Sequence, residues 1–167
     1  MNESEMQRVL DNLVEHVVFY DRQMNIRWAN RAACDSVGLS PDEIVERRCH
    51  KLWAGTDEVC PDCPVVRTLE TGRTHEVEKT APDGRAWFVR ACPIADDDGN
   101  ITGAVELTLD ITAQRHTQEA YRAVVDHSLQ GLVIIQDMKI VFANQAMAEI
   151  SGYGVEEILA APPRMLE

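Results

Sequence analysis

An internal repeat constrains the fold of this chain more than any other feature of its sequence. Residues 16–44 match residues 132–158, and both segments contain an aromatic residue followed by Ala-Asn. We align Ile26 with Ile140, 114 positions later (140 − 26), and place a two-residue deletion in the turn before them. A repeat of this length predicts two copies of one domain type rather than a stack of small units.

The first copy begins with a pattern of two strands and two short helices. Val17–Tyr20 and Ile26–Ala29 are short apolar runs separated by a polar turn, which predicts a β-hairpin. Asn30 then begins a helix, and Gly38 ends it in the left-handed conformation that favours glycine. The residues "SPDE" at positions 40–43 form a capping box with proline at the first helical position, so a second helix begins there.

The later part of the first copy changes from helical to strand periodicity. The segment "PVVRTLETG", which ends at Gly72, predicts one more helix. Three strands follow, separated by the turn signals "APDG" and "ADDDGN": "THEVEKT", "RAWFVRACPI" and "ITGAVELTLDIT". This order of elements predicts an α+β fold with one five-stranded antiparallel sheet and short helices on one face.

The same features resemble a PAS domain over residues 10–112. The resemblance rests on the W-A-N opening of the first core helix, the S-P-D-E-I helix, the "ACPIADDDGNITG" turn and the closing Asp110-Ile111-Thr112. PAS domains are sensor modules that hold a ligand or cofactor between the sheet and the helices, and they pass a change out through a flanking helix. The resemblance therefore implies an N-terminal flanking helix in residues 1–15, a PAS domain in 16–112, a linker helix in 113–127 and a partial second PAS domain in 128–167.

The resemblance implies a sensory module in the input region of a prokaryotic histidine kinase or transcription regulator. The second copy stops at Glu167 without counterparts of the three long strands. We therefore expect a fragment of a longer receptor rather than a half-domain that borrows strands from a partner. PAS modules commonly pair through flanking helices, so we expect a homodimer with a contact in residues 3–15. The alternatives are a pure interaction module with a filled pocket and a thiol-redox protein.

Three of the five cysteines lie close together, at Cys49, Cys60 and Cys63. The Cys-x-x-Cys spacing of the last two lets both thiolates bind one metal ion from a tight turn, and Cys49 supplies a third. Zinc or an iron–sulfur cluster fits such a set. The spacing leaves the fourth ligand open among His50, His75, Cys34 and Cys92. His50, beside Cys49, is the candidate that we carry forward.

The resemblance to PAS subfamilies bears on these cysteines. Residues 48–64 match a pattern R-C-x(10)-C-x-x-C-P of some bacterial and archaeal PAS domains, whereas PAS domains with an iron–sulfur cluster carry a repeated Cys-x-x-Cys pair that this chain lacks. Cys49 aligns with the flavin-bonding cysteine of LOV photoreceptors. The strand "RAWFVRACPI" has no asparagine or glutamine to read a flavin ring, so FMN is not expected. A dithiol–disulfide pair and free thiols are the other interpretations.

Five residues are candidates for the ligand pocket. Trp87 and Val89 fall on inward positions of the family pattern, and Trp28, Glu106 and Thr108 complete the set. A carboxyl group at position 106 would have a raised pKa if it faced an apolar pocket. The strand pattern also allows a solvent-facing Glu106, which is the position that we favour.

Composition excludes several classes of function. The net charge is −12 and there is no stripe of Lys and Arg, so we expect no direct contact with nucleic acid. No apolar run approaches the ~20 residues that a membrane helix needs. We expect a cytoplasmic location, where clustered thiols stay reduced. No phosphate loop, catalytic triad or paired carboxylates occur in the sequence, so we expect no enzymatic activity.

Overall fold

The computed structural model describes residues 2–126 and 128–160. Residue 127 of the predicted linker helix and residues 161–167 of the predicted second copy lie outside the described residues. The chain divides after Thr112 into two compact units. None of the described helices combines the length and apolar character that a membrane-spanning segment needs.

The first unit is a five-stranded antiparallel sheet with helices on one face, which confirms the predicted α+β fold. The strands lie in the order β2-β1-β5-β4-β3, so the N-terminal hairpin pairs with the last strand. The elements, in chain order, are α1 (Glu3–Asp11), β1 (His16–Asp21), β2 (Ile26–Ala29), α2 (Arg31–Val37), α3 (Pro41–Ile44), a π-helical turn (His50–Ala54), α4 (Pro64–Thr71), β3 (His75–Thr80), β4 (Ala86–Ala95) and β5 (Ile101–Asp110).

The core lies between the inner face of the sheet and the short helices. Tyr20 of β1 is fully buried there, as are Ile44 of α3 and Val65 of α4. The backbones of β1 and β5 approach each other closely at Gly103. A Cβ atom at this position would lie 2.2 Å from the Tyr20 carbonyl oxygen. A side chain at Gly103 would push these two strands apart, so the residue must be glycine for the sheet to close.

The Asn30 side chain joins four separate segments of the first unit. Its Oδ1 accepts hydrogen bonds from the backbone N–H groups of Val17 and Ala33, at 3.0 and 3.1 Å. Its Nδ2 donates to the carbonyl oxygens of Leu10 and Glu15, at 3.0 and 2.9 Å. The amide is fully buried and all four of its hydrogen-bonding positions are used. Asn30 therefore does more than cap α2, because it also fixes the end of α1 and the start of β1.

The second unit repeats the first half of the first unit. It contains α5 (Thr112–Asp126), β6 (Val133–Gln136), β7 (Lys139–Ala143), α6 (Gln145–Ser151) and α7 (Val155–Ala160). Asn144 caps α6 and makes the same four bonds as Asn30. It accepts from the N–H groups of Leu132 and Met147, and donates to the carbonyl oxygens of Val125 and Gln130.

These bonds correct the alignment of the two copies before the turn. Leu132 occupies the position of Val17, which is an offset of 115 (132 − 17) rather than the 116 that a two-residue deletion requires. The turn of the second hairpin is therefore shorter by one residue. The same offset relates Val125 to Leu10, so the repeat extends back into the helix that precedes each hairpin.

The second unit exposes part of the strand surface that the first unit buries. The register pairs Ile135 with Ile140, just as it pairs Tyr20 with Ile26. Tyr20 is 0% exposed, whereas Ile135 is 53% exposed. In the first unit β1 is covered on its other edge by β5, and the described part of the second unit contains no such strand. The outer strand of this half-sheet is therefore exposed at Ile135, whereas Ile140 and Ala143 of β7 stay buried against α6 and α7.

We predict that Asn30→Ala lowers the free energy of unfolding of the first unit by about 3 kcal/mol, because it removes a cap and leaves buried backbone groups without partners. All three tryptophans of the chain, Trp28, Trp53 and Trp87, lie in the first unit, so tryptophan fluorescence during urea unfolding reports on that unit alone.

The matched control is Asn12→Ala, which removes an exposed asparagine that makes one local bond, from Nδ2 to the Arg8 carbonyl oxygen at 2.8 Å. We expect this control to change stability by less than about 0.5 kcal/mol. Equal effects of the two substitutions would contradict the role assigned to Asn30.

Candidate functional site

A partly open cavity of about 440 Å³ lies between the inner face of the sheet and the segment from the π-helical turn to the start of α4. Strands β1, β4 and β5 form its floor, and the turn between β3 and β4 forms one side. The residues that line it are His16, Val18, Cys49, His50, Trp53, Ala54, Cys60, Cys63, Pro64, Lys79, Thr80, Ala81, Pro82, Asp83, Arg85, Trp87, Val89, Glu106 and Thr108.

The structure brings four of the five pocket candidates together. Trp87, Val89, Glu106 and Thr108 all line the cavity, because alternate residues of β4 and β5 point to the inner face. Trp28 does not line it. Its indole N–H donates to Oε1 of Gln7 in α1 at 2.9 Å, outside the cavity. Trp28 pairs with Phe19, which alternates with the inward-facing residues of β1, so its side chain lies on the opposite face of the sheet.

Glu106 faces the cavity, so the solvent-facing position that we favoured from the strand pattern is wrong. Its Oε1 accepts long hydrogen bonds from the hydroxyl groups of Tyr20, at 3.4 Å, and Thr108, at 3.3 Å. Burial raises the pKa of the Glu106 carboxyl group, and the positive charge of Lys79 and the two hydroxyl groups offset only part of that shift.

Cys49 lines the cavity from the position just before the π-helical turn. Burial raises the pKa of its thiol to about 12, and the negative charge of Glu106 adds to the shift. The Tyr20 hydroxyl lies beside the thiol and lowers that pKa by a smaller amount. Cys49 is therefore a neutral thiol at physiological pH, which is the opposite of an activated nucleophile.

Cys63 and Cys60 line the same cavity from the turn that precedes α4. Burial raises the pKa of the Cys63 thiol, while the backbone N–H groups of Val66 and Val65 at the start of α4 lower it. Asp62 between them has φ +52°, as in a tight turn. The structure thus brings the three predicted thiols to one cavity.

His50 is the most unusual side chain in the cavity. It follows Cys49 and is only 2% exposed. Neither of its ring nitrogens, Nδ1 or Nε2, has a hydrogen-bond partner among the described residues. A buried imidazole without partners costs about 1–3 kcal/mol in lost hydrogen bonds to water. The ring therefore needs a hydrogen-bond partner that the described residues do not supply.

The donor types around the cavity suit a soft metal ion, since three thiols and one imidazole are the usual ligands of zinc. Their arrangement does not suit one as it stands. Among the described residues, no three His, Cys, Asp or Glu side chains are placed to hold a metal ion. The raised pKa values of Cys49 and Cys63 also oppose the thiolate form that a metal requires. A metal would need the segment around the π-helical turn to move.

Trp87 of β4 contributes an aromatic wall to the cavity. The His16 ring lies 5.6 Å from it, tilted by 37°, and the Arg85 guanidinium lies 5.0 Å from its ring centroid. Arg85 is itself paired with Asp83, at 2.7 Å. Burial, and then the charge of Arg85, lower the pKa of His16, while Asp110 raises it. This wall is apolar and its nearest cation is already neutralised.

Two residues that the cavity depends on, Tyr20 and Lys79, are not among those predicted from the sequence. Tyr20 connects Cys49 to Glu106, and Lys79 projects a positive charge toward the carboxyl group of Glu106. Strand alternation alone would have placed both inward, because Tyr20 shares a face with Val18, and Lys79 pairs with Trp87. The π-helical turn that carries Cys49 and His50 inward leaves no comparable signal in the sequence.

We predict that Glu106→Gln makes the first unit more stable than wild type at pH 8 and changes it little at pH 4.5. The folded pKa of Glu106 lies above its ordinary value of 4.5, so the folded state holds the proton more tightly than the unfolded state does. The resulting stabilisation is complete below pH 4.5 and is lost as the pH rises through the folded pKa. Glutamine resembles the protonated acid and escapes that loss.

Urea unfolding followed by tryptophan fluorescence from pH 4.5 to 8 measures this difference. The control is Glu70→Gln, which removes the same charge from an exposed position on α4. A stability difference between Glu106→Gln and wild type that does not grow with pH would contradict the buried position of this carboxyl group.

We also predict that iodoacetamide alkylates Cys49 in the native protein at pH 7 at least about a hundredfold more slowly than in urea, because little of a thiol with a pKa of about 12 is ionised there. Peptide mass spectrometry of timed samples measures the rate at each cysteine. Equal native and urea rates at Cys49 would show an accessible, ionised thiol instead.

Comparison with known proteins gives the same fold. A sequence model described as the PAS fold matches residues 10–116, and one described as a PAS domain matches residues 119–166. No curated protein sequence matches the chain at a significant level.

Solved structures from three bacteria are similar to this chain. The PAS domain of nitrogen regulation protein NR(II) from Vibrio parahaemolyticus is 22% identical, with 64% of this chain and 97% of that one covered and a TM-score of 0.50. The PAS domain of Bordetella pertussis BvgS is 17% identical, with 72% and 92% covered and a TM-score of 0.50. The Vibrio cholerae VqmA dimer is 14% identical, with 95% and 77% covered and a TM-score of 0.57. These identities show the fold alone, and the match over residues 10–116 establishes that the chain belongs to the PAS fold family.

Proposed function

We propose that this sensory signalling module is the input region of a prokaryotic histidine kinase or transcription regulator, and that the cavity is its sensing site. The observation that carries the proposal is the cavity itself, with a buried imidazole and three thiols on one side and the inner face of the sheet on the other. Similarity to the PAS domains of the NR(II) and BvgS proteins supports a sensory role for the fold. The module acts by binding and shape change rather than by catalysis.

The three thiols of the cavity would allow the module to sense redox state or a metal ion. Cys49, Cys60 and Cys63 would hold zinc or an iron–sulfur cluster if the π-helical turn shifted toward α4, with His50 as the candidate fourth ligand. A bound metal would supply crosslinks between that turn and α4. Since both elements pack on the sheet, such crosslinks would change how the sheet is covered.

A disulfide is the other form of the same proposal. Cys60 and Cys63 are three positions apart across a tight turn. Their two thiols would give up two electrons and two protons to a disulfide or a peroxide, which would be reduced in turn, and an S–S bond would form. The bond would tighten the turn before α4, one of the elements that carry the cavity wall.

The proposed partners follow from exposed surfaces. In α1, Met6 and Val9 are exposed apolar side chains, 44% and 55% accessible. They would suit a homodimer contact through the flanking helix, as the family pattern implies. An interaction module with no cofactor remains the second candidate function, and this exposed apolar face is the observation that favours it.

The metal form of the proposal predicts that anaerobically purified protein contains close to one equivalent of zinc or of a cluster, and that Cys60→Ser loses most of it. The control is Cys92→Ser. Cys92 lies in β4 opposite Val105 and outside the cavity, so its substitution should leave the metal content unchanged. Metal analysis of the three purified proteins measures the difference.

Substoichiometric metal in wild type that does not fall in Cys60→Ser would contradict the metal form. In that case, alkylation-resistant Cys60 and Cys63 after mild oxidation would support the disulfide form. If Cys60 and Cys63 are alkylated both before and after mild oxidation, and no metal is bound, the cysteines have no sensing role.

A further inference from the structure

The cavity contains polar groups whose partners are missing, and these groups restrict what can bind there. His50 lines the cavity, and its two ring nitrogens, one donor and one acceptor in the neutral ring, are buried without a partner among the described residues. A ligand group that satisfies this ring must therefore accept a hydrogen bond, donate one, or do both. A purely apolar molecule would leave the imidazole as costly as it is in the empty cavity.

Lys79 restricts the charge that a ligand of this cavity can carry. It lines the cavity from β3, is half-buried, and forms none of the ion pairs within 4 Å that the described residues make. The other cation of the cavity, Arg85, is neutralised by Asp83. Glu106 lies near Lys79 but not within ion-pair distance of it, and one of its oxygens already accepts from two hydroxyl groups. Lys79 can therefore form an ion pair with one negatively charged group of a ligand.

The rest of the lining restricts the body of the ligand. Val18, Val89, Trp53 and Trp87 present apolar and aromatic surface between the two polar ends. A volume of about 440 Å³ accommodates a small organic molecule. A phosphate ester or a dicarboxylate would need a second unpaired cation, and the described lining does not supply one.

We propose that the cavity binds a small organic monocarboxylate whose aromatic or branched apolar body lies against Trp87 and Val89, with Lys79 and His50 as its polar contacts. The inference rests on the proposed function in one respect only, which is that the cavity is the sensing site. It names the chemical class of the stimulus, and it does not depend on whether the thiols bind metal.

Calorimetric titration of the full chain, with chelator and reductant present, tests this proposal. The probes are 1-naphthylacetate, its neutral amide 1-naphthylacetamide, and acetate. We expect the naphthyl acid to bind at least about tenfold more tightly than the amide, which corresponds to a charge-assisted hydrogen bond. Acetate, which has no apolar body, should not saturate the site.

Two substitutions identify the contacts. Lys79→Gln should reduce the affinity for the naphthyl acid to the affinity for the amide. It should leave the affinity for the amide unchanged. The control, Lys139→Gln, removes an exposed lysine of β7 in the second unit and should change neither of the two affinities. His50→Phe should weaken the binding of both naphthyl probes at least about tenfold, since both use the imidazole.

Several outcomes would overturn the inference. The acid and the amide could bind equally, Lys79→Gln could match Lys139→Gln, or the acid could fail to saturate at millimolar concentration. Unchanged binding by His50→Phe would show that water alone satisfies the imidazole. Because Lys79 is half-buried and near the surface, Lys79→Gln decides the point even if His50→Phe does not fold. Chelator and reductant keep this result separate from the metal and disulfide tests.

Discussion

One side-chain amide holds together the part of the first unit that the cavity is built on. Asn30 uses its two donor and two acceptor positions to bind the end of α1, the segment before β1, the start of β1 and the first turn of α2. In β1, the residues on either side of Val17, His16 and Val18, both line the cavity, so the floor of the cavity depends on this amide. Asn144 makes the same four contacts in the second unit, in which the described residues include no counterpart of β5.

The chemistry of the cavity follows from burial more than from any single charged group. Burial raises the pKa values of Tyr20, Cys49 and Glu106, which lie in a row from the π-helical turn to β5. Each group is therefore biased toward its neutral, protonated form. A cavity lined in this way is suited to holding a ligand or responding slowly to oxidation, and it is poorly suited to nucleophilic catalysis.

Much of the fold could be predicted from the sequence, because its signals are local. The capping asparagine, the Ser40–Glu43 capping box and the alternating strands all depend on neighbours within a few positions, and the structure confirms each of them. The cavity depends on contacts between distant segments. Strand alternation did not decide which face Glu106 takes, and it gave no warning that Trp28 faces away. The π-helical turn is a short separate element between α3 and α4, and no periodicity in the sequence reveals that it buries His50 and brings Cys49 to the cavity.

We propose that this cavity holds something other than side chains when the protein functions. Native mass spectrometry of the purified chain, recorded with and without chelator, tests this occupancy. We expect a mass above that of the chain alone, either lost with chelator, as for a metal, or retained, as for an organic ligand. A mass equal to that of the bare chain under both conditions, from protein purified anaerobically, would contradict the account and favour an interaction module with an empty cavity.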